Sequence, residues 1–506
     1  MTKYIIAHDL GTSGNKATLF TTDGKLVKSS VFQYGTKLFN SNWAEQNPND
    51  WWKAFCSTNK ELLEGIDKTM VSAVSFSGQM MGCLCVDKNG NPLRNSIIWM
   101  DMRAQAEQLE IEEKIDKREF YNLTGHRISS AYSVEKLMWI KNNEPDIYHN
   151  TYKILNAKDY IVCRLTGKFV TDYSDASGTN VFDINTFKWS DRLVNITGID
   201  RDKLPEALPS TTIVGEVSAA MSEECGLPIG TKVVLGGGDG MCASVGAGSV
   251  TPNFVYNCLG SSSWITTTTE KPIFDEEMKT FNWAHVVPGM IGPTGTMQAA
   301  GLSYNWAINM LYKKEIELAG NTGSVYELVN SEITKSQPLS NNLLFLPYLV
   351  GERSPRWNPN ARGAFIGLTA EHTRGDLMRS VVEGVAMNLR IILDSFRNRI
   401  PINEITVIGG LAKSPIVRQI LADVFDAKIL KLNCVEEATS IGAVVTAGVS
   451  TGEIKDFSEV SKFITVESID VPNKLHTATY NEKIELFNIA YDNLRFVNDK
   501  LSMLRN

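Results

Sequence analysis

The sequence predicts an α/β protein built from two domains that face each other across a cleft. The chain has 506 residues, which is more than a single hydrophobic core usually serves, so we expect two domains. Predicted strands and helices alternate along most of the chain, and this alternation is typical of α/β architecture. No long Pro-rich or Ser-rich linker separates the halves, so the two domains should pack together with a cleft between them.

Composition excludes several classes of function. The net charge is −7 and no basic stripe occurs, which argues against binding to duplex nucleic acid. No apolar run reaches the length of a membrane span, and the first residues lack a signal-peptide pattern. The eight cysteines contain no CxxC spacing, so we expect reduced thiols and a cytoplasmic protein with no membrane or nucleic-acid partner.

The first half opens with a predicted β-hairpin. KYIIAHDL forms a strand, GTSGN a turn and KATLFTTD a second strand, and GKLV begins a third. Later segments follow as a strand (VSAVSFSG), a charged helix (AQAEQLEIEEKI), an amphipathic helix (SVEKLMWIKNN) and a strand (KVVLGG) that runs into a helix from about Met241.

The second half begins with a similar hairpin. NFVYNCLG and WITTTTE are predicted strands that flank a small-residue turn, and they match the first hairpin in pattern. We interpret this match as an internal duplication. A long helix (MRSVVEGVAMNLRIILDSFRN), a buried strand (ITVIGG) and another helix (PIVRQILADVFDA) come next, and a mostly helical end follows. The boundary is predicted near 248, giving domains 1–248 and 249–506.

The first chemical motif is DLGTSGNK, residues 9–16. A turn rich in Gly, Ser and Thr can aim N–H groups and hydroxyls at phosphate oxygens. Asp9 at the strand end can hold Mg²⁺ through water, and Lys16 can offset phosphate charge. A plain hairpin turn is the alternative, but it does not require Asp, Thr and Ser together. No GK[ST] occurs in the chain, which argues against a P-loop.

The second motif is VVLGGGDGMCAS, which places Asp239 among glycines. Asp239 at a helix N-terminus could act as a general base, and the glycines would let substrate and phosphate approach the backbone. An N-cap Asp in a tight turn would explain the carboxylate but not its four flanking glycines. A dinucleotide site is the other alternative, since 238–243 fits G-x-G-x-x-A, but no acidic residue follows at the required distance.

A third motif combines SFSGQMMG, residues 75–82, with IIWMDMR, residues 97–103. Trp99, Asp101 and Arg103 alternate along the chain, so they share one face if the segment is extended. An aromatic ring, a carboxylate and a guanidinium suit a polyhydroxylated ligand. The alternative is an Asp–Arg surface pair beside a core Trp.

Two further segments are candidates for function, one because it follows a predicted strand and the other because it is rich in Arg, Gly and Pro. ITVIGGLAKSP, residues 405–415, suits a nucleotide that lies on backbone, although a simple strand–helix turn fits equally well. Residues 346–368 are predicted to form an ordered functional loop. His8, on an apolar strand, is predicted to be a satisfied core histidine.

Taken in order, these motifs resemble the FGGY family of carbohydrate kinases, and within it the xylulokinases. The resemblance spans nearly the whole chain. It is carried by DLGTSGNK, SGQMMG, WMDMR, NAKDYIVCRLTG, SDASGT, GGGDG, LGSSSW, LPYLVGERSPRWNP, GLT, EGVAMNL and IGGLAKSPIVRQILAD. It implies two ribonuclease-H-like domains of the actin and sugar-kinase superfamily, with ATP and sugar in the cleft between them.

The resemblance also implies roles for individual residues. Asp239 matches the base that deprotonates the sugar hydroxyl, and Asp9 matches the acid near Mg·ATP. Both carboxylates are candidates for the Mg²⁺ site. The sugar segment is matched by Gln79, Met80 and Met81, and the third motif adds Trp99, Asp101 and Arg103 as candidates for sugar binding. The phosphate and adenosine segments are matched by Gly11, Thr12, Ser13, Gly260, Ser261, Ser262, Gly409, Gly410 and Ala412, and the first motif adds Lys16 as a candidate for ATP binding.

Two positions depart from the xylulokinase pattern. A His typically stands where this chain has Met81, and an Asn commonly stands where it has Gly240. A site that lacks these two hydrogen-bonding groups should favour a sugar with a hydroxyl missing or inverted.

The expected activity is phosphorylation of a terminal hydroxyl of a small open-chain sugar, a ketose. Alternatives are a kinase of L-fuculose, erythritol, glycerol or gluconate, or a non-enzymatic actin-like ATP switch or sugar-binding module. A homodimer is expected by analogy alone.

Overall fold

The computed structural model describes residues 3–321, 325–433 and 436–504. Its strands are β1 (Tyr4–Leu10), β2 (Gly14–Thr21), β3 (Leu26–Gln33), β4 (Lys37–Phe39), β5 (Trp43–Gln46), β6 (Val71–Gly78), β7 (Leu84–Val86), β8 (Ser96–Ile97), β9 (Lys153–Leu155), β10 (Val170–Asp172), β11 (Phe182–Asp183), β12 (Lys188–Trp189), β13 (Glu206–Leu208), β14 (Ile213–Glu216), β15 (Lys232–Val234), β16 (Gly237–Gly238), β17 (Val255–Leu259), β18 (Ser263–Thr267), β19 (Phe281–Ala284), β20 (Ile291–Met297), β21 (Leu344–Leu346), β22 (Ala364–Ile366), β23 (Glu404–Ile408), β24 (Lys428–Leu432) and β25 (Val466–Asp470).

The helices lie between and outside these strands. They are α1 (Pro48–Leu62), α2 (Gln105–Lys114), α3 (Lys117–Thr124), α4 (Ser133–Asn143), α5 (Pro145–Asn150), α6 (Ala157–Thr166), α7 (Tyr173–Ser177), α8 (Asp191–Thr197), α9 (Ala219–Cys225), α10 (Asp239–Gly246), α11 (Gly301–Leu311), α12 (Lys313–Ala319), α13 (Tyr326–Lys335), α14 (Arg374–Arg397), α15 (Pro415–Phe425), α16 (Ala438–Thr451) and α17 (Lys474–Met503).

Two large mixed sheets share one strand layout. The first has the order β14-β15-β6-β1-β2-β3, with β16 beside β6, and the second has the order β25-β24-β23-β17-β18-β20-β19. In both, an antiparallel hairpin is extended on one side by parallel strands and closed by an antiparallel edge strand. The predicted two-domain α/β fold is confirmed, and the repeated layout agrees with the internal duplication.

Parallel pairing brings the ends of several strands to one edge of each sheet. In the first sheet Asp9 pairs with Ser77, and Gly238 pairs with Gly78. In the second sheet Cys258 pairs with Ile408. Ligands of open α/β sheets bind outside the carboxyl ends of such strands, so the loops that follow these residues define where a site can form.

Helices α10 and α16 connect the two halves. A methyl group at Gly246 would enter the backbone of Ala438, and one at Gly442 would enter the backbone of Cys242. The glycines therefore allow the two helix backbones to touch. Helix α16 also packs on β6 and β1, so a segment from the second half of the chain covers the first sheet. A division at residue 248 remains a prediction.

Most predicted elements form close to their expected positions, with two differences. The helix expected from about Met241 begins at Asp239, because Gly238 already serves as its N-cap residue. Helix α4 was expected to be amphipathic, yet two of its three charged residues, Glu135 and Lys136, are buried together with its apolar ones. In the described part of the chain, no helix has both the length and the apolar character needed to cross a membrane.

Candidate active site

Asp239 stands at the first residue of α10, at the edge where β1, β6 and β16 end. Gly238 is the N-cap, and the Asp239 carboxylate accepts a hydrogen bond of 2.7 Å from the Gly240 amide. The carboxylate is therefore not the N-cap that sequence analysis considered as an alternative. It lines a cavity and remains partly accessible, so it is free to interact with a ligand.

Packing explains three of the four glycines around Asp239. Gly236 has φ +69°, and a Cβ there would enter the Phe76 backbone. A Cβ at Gly237 would collide with Val286, and one at Gly238 with Met80. Gly240 differs, because a Cβ there would meet no atom within 4 Å. Its missing side chain thus leaves open space in the cavity.

Asp9 lies at the end of β1 and is held by two hydroxyl groups. Ser77 donates to one carboxylate oxygen at 2.9 Å, and Thr439 at the start of α16 donates to the other at 2.8 Å. Lys16, predicted to offset phosphate charge, is 3.1 Å from the Glu437 carboxylate and also donates to the Glu436 carbonyl. Both contacts connect the first hairpin to the segment that precedes α16.

Both carboxylates ionise less readily than a carboxylate in water. Burial, and secondarily the charge of Asp9, raises the pKa of Asp239 to about 7. Burial also raises the pKa of Asp9, while the Thr439 and Ser77 hydroxyls act in the opposite direction. A divalent cation would relieve this repulsion, and carboxylate oxygens are ligands that Mg²⁺ prefers. Among the described residues, no group of three or more His, Cys, Asp or Glu could hold a metal, so water and phosphate oxygens would have to complete the shell.

A cavity of about 120 Å³ opens beside Asp239, and both halves of the chain line it. Its size suits a small molecule rather than a polymer. The first half contributes Met80, Met81, Trp99, Asp239 and Gly240. The second half contributes Trp264, Phe281, Trp283, Thr294, Thr296 and Arg353.

The residues of the GQMMG segment are fixed by polar contacts. The Gln79 amide donates to Gln46 at 2.7 Å, and its backbone N–H donates to Leu10 at 2.9 Å. Gln79 is buried behind the cavity, whereas Met80 and Met81 line it. The segment therefore presents two thioethers, and not an amide, to a ligand.

The WMDMR segment divides into one cavity residue and a structural pair. Trp99 lines the cavity, and its indole N–H donates to the Thr12 hydroxyl at 2.9 Å. Asp101 and Arg103 lie outside the cavity, where they form a bidentate pair with contacts of 3.0 and 2.8 Å. Both are buried, so neither a sugar contact nor a surface pair describes them. Their alternation with Trp99 was misleading, because the chain is not a strand there.

The loop at residues 11–13 remains accessible at the end of β1. It closes a tight turn in which the Gly11 N–H donates to Gly14 at 3.0 Å, and the Tyr34 hydroxyl donates to the Gly11 carbonyl at 2.6 Å. Ser13 is exposed, while Gly11 and Thr12 are partly exposed. The loop is therefore open to a phosphate group from the cleft.

A larger cavity, of about 490 Å³, lies at the carboxyl edge of the second sheet. Gly260, Ser261 and Gly410 line it, and Ser262 stands partly exposed beside them. Gly409 and Ala412 shape the loop from beneath: Gly409 has φ +92° against the Leu259 backbone, and Ala412 is buried in the core. Four further lining residues were not expected from the sequence, namely Tyr304, Asn305, Tyr326 and Asn330.

The contribution of the second half to the cavity beside Asp239 was not expected from the sequence. Arg353 and Trp264 belong to the motifs LPYLVGERSPRWNP and LGSSSW, which carried the family resemblance but were given no role at the sugar site. Thr294 and Thr296 lie on strand β20, where nothing in the sequence distinguishes them from other strand residues. His8 is buried between Asn59 and Asn15, and burial lowers its pKa to about 4. This agrees with the predicted core histidine.

Two family models match the chain. The N-terminal domain of the FGGY family of carbohydrate kinases matches residues 4–246, and the C-terminal domain of that family matches residues 255–451. Together they cover most of the chain.

Individual relatives agree with this assignment. The chain is 31% identical to a gluconokinase of Bacillus subtilis over 92% of this chain and 91% of the relative. It is also 31% identical to a xylulose kinase of Lactococcus lactis over 98% of both chains. The crystal structure of a gluconate kinase from Lactobacillus acidophilus superposes with a TM-score of 0.92 at 28% identity, covering 99% of this chain and 100% of that one. The chain therefore belongs to the FGGY family of carbohydrate kinases and is a sugar kinase.

Proposed function

We propose that the protein transfers the γ-phosphate of ATP, with Mg²⁺, to a terminal hydroxyl of a small open-chain ketose. The observation that carries this proposal is the position of Asp239. Its carboxylate lies at the start of a helix, faces a cavity of small-molecule size and is close enough to Asp9 for their charges to interact. We include in the proposal a cytoplasmic location, a homodimer and a domain division at residue 248.

In this reaction Asp239 accepts the proton of the sugar hydroxyl as the hydroxyl oxygen attacks the γ-phosphorus. The bond from the γ-phosphorus to the β–γ bridging oxygen breaks, and ADP leaves with that oxygen. A pKa of about 7 suits a base that works near neutral pH. Asp9 and Asp239 would hold Mg²⁺, which when bound neutralises phosphate charge. The loops at 11–13 and 260–262 would hold the phosphates, and the 490 Å³ cavity would take the adenosine.

The cavity supports a ketose other than D-xylulose. Met81 brings a thioether and Gly240 brings open space to the two positions where the xylulokinase pattern has hydrogen-bonding groups. A sugar hydroxyl that pointed at either position would lose its water without gaining a partner. The preferred substrate should therefore lack or invert a hydroxyl there.

A sugar acid such as gluconate is the second candidate, and Arg353 is the observation that favours it. Its guanidinium lines the cavity beside the aromatic rings of Phe281 and Trp357, at 5.6 and 5.8 Å from their centroids. In the part of the chain that is described, no carboxylate forms an ion pair with it. A guanidinium that faces a cavity without a carboxylate partner is suited to bind a ligand carboxylate.

ADP release across a sugar panel tests the proposal. The purified protein with Mg·ATP is given D- and L-xylulose, D- and L-ribulose, L-fuculose, erythrulose, glycerol, erythritol and gluconate, with a blank lacking sugar. We expect a ketose other than D-xylulose to give the highest kcat/KM. A gluconate optimum that Arg353→Leu abolishes would establish the second candidate instead. No release above the blank with any sugar would contradict both.

Replacing the proposed base tests the mechanism. Asp239→Asn keeps the size of the side chain but cannot accept the proton, so we expect kcat to fall by a factor of about 10³ or more. The Kd of ATP should stay within a factor of two, measured by calorimetry. Loss of ATP binding together with activity would indicate a structural role for Asp239.

A further inference from the structure

We propose that Lys136 is a positioning residue for the sugar cavity. Its side-chain amine holds the Met81 carbonyl and so fixes the left-handed backbone of Met81. This backbone places the Met81 side chain in the cavity. This inference rests on the proposed function, since it takes the cavity beside Asp239 to be the sugar site. Lys136 lies on α4, and its contacts are made from behind the cavity wall.

Met81 adopts a backbone conformation that long side chains rarely take. Its φ is +61°, in the left-handed region that glycine and asparagine favour. Its side chain nevertheless lines the cavity and is only 7% exposed. Unfavourable backbone geometry of this kind persists only where surrounding contacts impose it.

Lys136 supplies such a contact. Its side chain is fully buried, and Nζ donates to the Met81 carbonyl at 2.8 Å and to the Ala131 carbonyl at 2.5 Å. Among the described residues, no carboxylate lies within ion-pair distance of Nζ. Burial lowers the pKa of Lys136 to about 7. The charged and the neutral amine both carry N–H donors, so either form can hold the two carbonyls.

The neighbours of Met81 are held by other groups. The Gln79 N–H donates to Leu10, and the Gly82 N–H donates to the Asn156 side chain at 2.9 Å. These two contacts fix the backbone before and after the methionine pair. The Met81 carbonyl itself is held by Lys136, so this one bond selects the direction in which the Met81 side chain points.

The first variant is Lys136→Met, which keeps the length of the side chain and removes its donors. We expect the KM of the best sugar to rise at least fivefold, and the KM of ATP to stay within a factor of two. An unchanged KM for the sugar would overturn the proposal. Equal rises in both KM values would also overturn it, because they indicate a general structural role.

The second variant, Met81→Gly, tests whether Lys136 acts through Met81. Glycine adopts a φ of +61° freely, so it needs no anchor. In the Met81→Gly background, Lys136→Met should therefore raise the sugar KM by less than twofold further. If the two substitutions changed the sugar KM additively, the proposal would be contradicted. If Lys136→Met alone fails to fold, the double variant should fold; if neither folds, the proposal is wrong.

A spectroscopic measurement keeps this test separate from the proposed function. The ligand-free protein is labelled with ¹³C-methyl methionine, and the Met81 signal is identified by its loss in Met81→Gly. We expect this signal to shift or broaden in Lys136→Met while that of Met241 stays in place. An unmoved Met81 signal would overturn the inference. If wild type phosphorylates no sugar but the signal moves, the proposed function fails and the positioning role stands.

Discussion

At the scale of single residues, the candidate site depends on what surrounds two carboxylates. Asp9 is held by hydroxyl groups and Asp239 by the amide at the start of a helix. Neither has a basic side chain as ion-pair partner among the described residues, so burial raises the pKa of both, and the charge of Asp9 raises that of Asp239 further. Such a pair stores unfavourable energy that a bound cation or a proton can release.

The raised pKa of Asp239 predicts the pH dependence of activity. The base must be ionised, so kcat/KM for the sugar should rise about tenfold per pH unit below pH 7 and level off above it. Steady-state rates between pH 5 and 9 measure this. A profile that is flat across pH 7 would contradict Asp239 as the titrating base.

The same pKa predicts an effect on stability. The unfolded carboxyl ionises around its ordinary pKa of 3.8, whereas the folded one keeps its proton up to about pH 7, so the protein loses stability as the pH rises between these two values. Asp239→Asn cannot ionise, so we expect its Tm relative to that of wild type to increase by a few degrees from pH 4 to pH 8. An equal Tm difference at both pH values would contradict the assigned shift.

Packing does not explain why residue 240 is a glycine. We therefore expect that a larger side chain there changes the choice of sugar. Gly240→Asn combined with Met81→His restores the two groups of the xylulokinase pattern. Because a Cβ at 240 would meet no atom within 4 Å, we expect the variant to fold and to raise kcat/KM for D-xylulose at least tenfold. The contrasting variant Gly236→Ala should lose folding, since its methyl enters the Phe76 backbone. No gain with D-xylulose would show that these positions do not select the sugar.

At the scale of elements, sequence patterns predicted strands and helices better than they predicted contacts. Hairpins, parallel strands and the long helix α14 follow from local hydrophobic periodicity, so they could be predicted from the sequence. The burial of the Asp101–Arg103 pair and of Lys136 depends on which segments from elsewhere in the chain cover them. Hydrophobic periodicity holds no information about that covering, and the segment with Asp101 and Arg103 was assumed to be extended, which placed both residues in the site.

The crossing of α10 and α16 predicts a strong local effect of one methyl group. Gly442→Ala would push a Cβ into the Cys242 backbone, so we expect a loss of about 1–3 kcal/mol in the free energy of unfolding. Gly35→Ala is the matched control, because its methyl would meet no atom within 4 Å, and it should change stability by less than about 0.5 kcal/mol. Thermal unfolding compares them. A neutral Gly442→Ala would show that the helices do not touch.

At the scale of the whole molecule, the repeated sheet layout places one set of loops on each side of the cleft. The loop at 11–13 follows β1, and the loop at 260–262 follows the equivalent strand β17. The cavity beside Asp239 is lined from both halves as well. A nucleotide phosphate and a sugar that occupied these places would each contact both halves, so each ligand would favour the same closed arrangement.

This shared arrangement predicts coupling between the two ligands. If sugar and nucleotide both stabilise closure, the ligand that binds second meets a site that is already ordered, and its affinity rises. We expect the best sugar to lower the Kd of a non-hydrolysable ATP analogue at least fivefold. By linkage the analogue must lower the Kd of that sugar by the same factor, and titration calorimetry in both orders checks this equality. A non-substrate sugar from the panel should leave the Kd of the analogue unchanged. If the best sugar left the Kd of the analogue unchanged, the two ligands would bind independently. Closure of the two halves would then not explain how the reaction is protected from water.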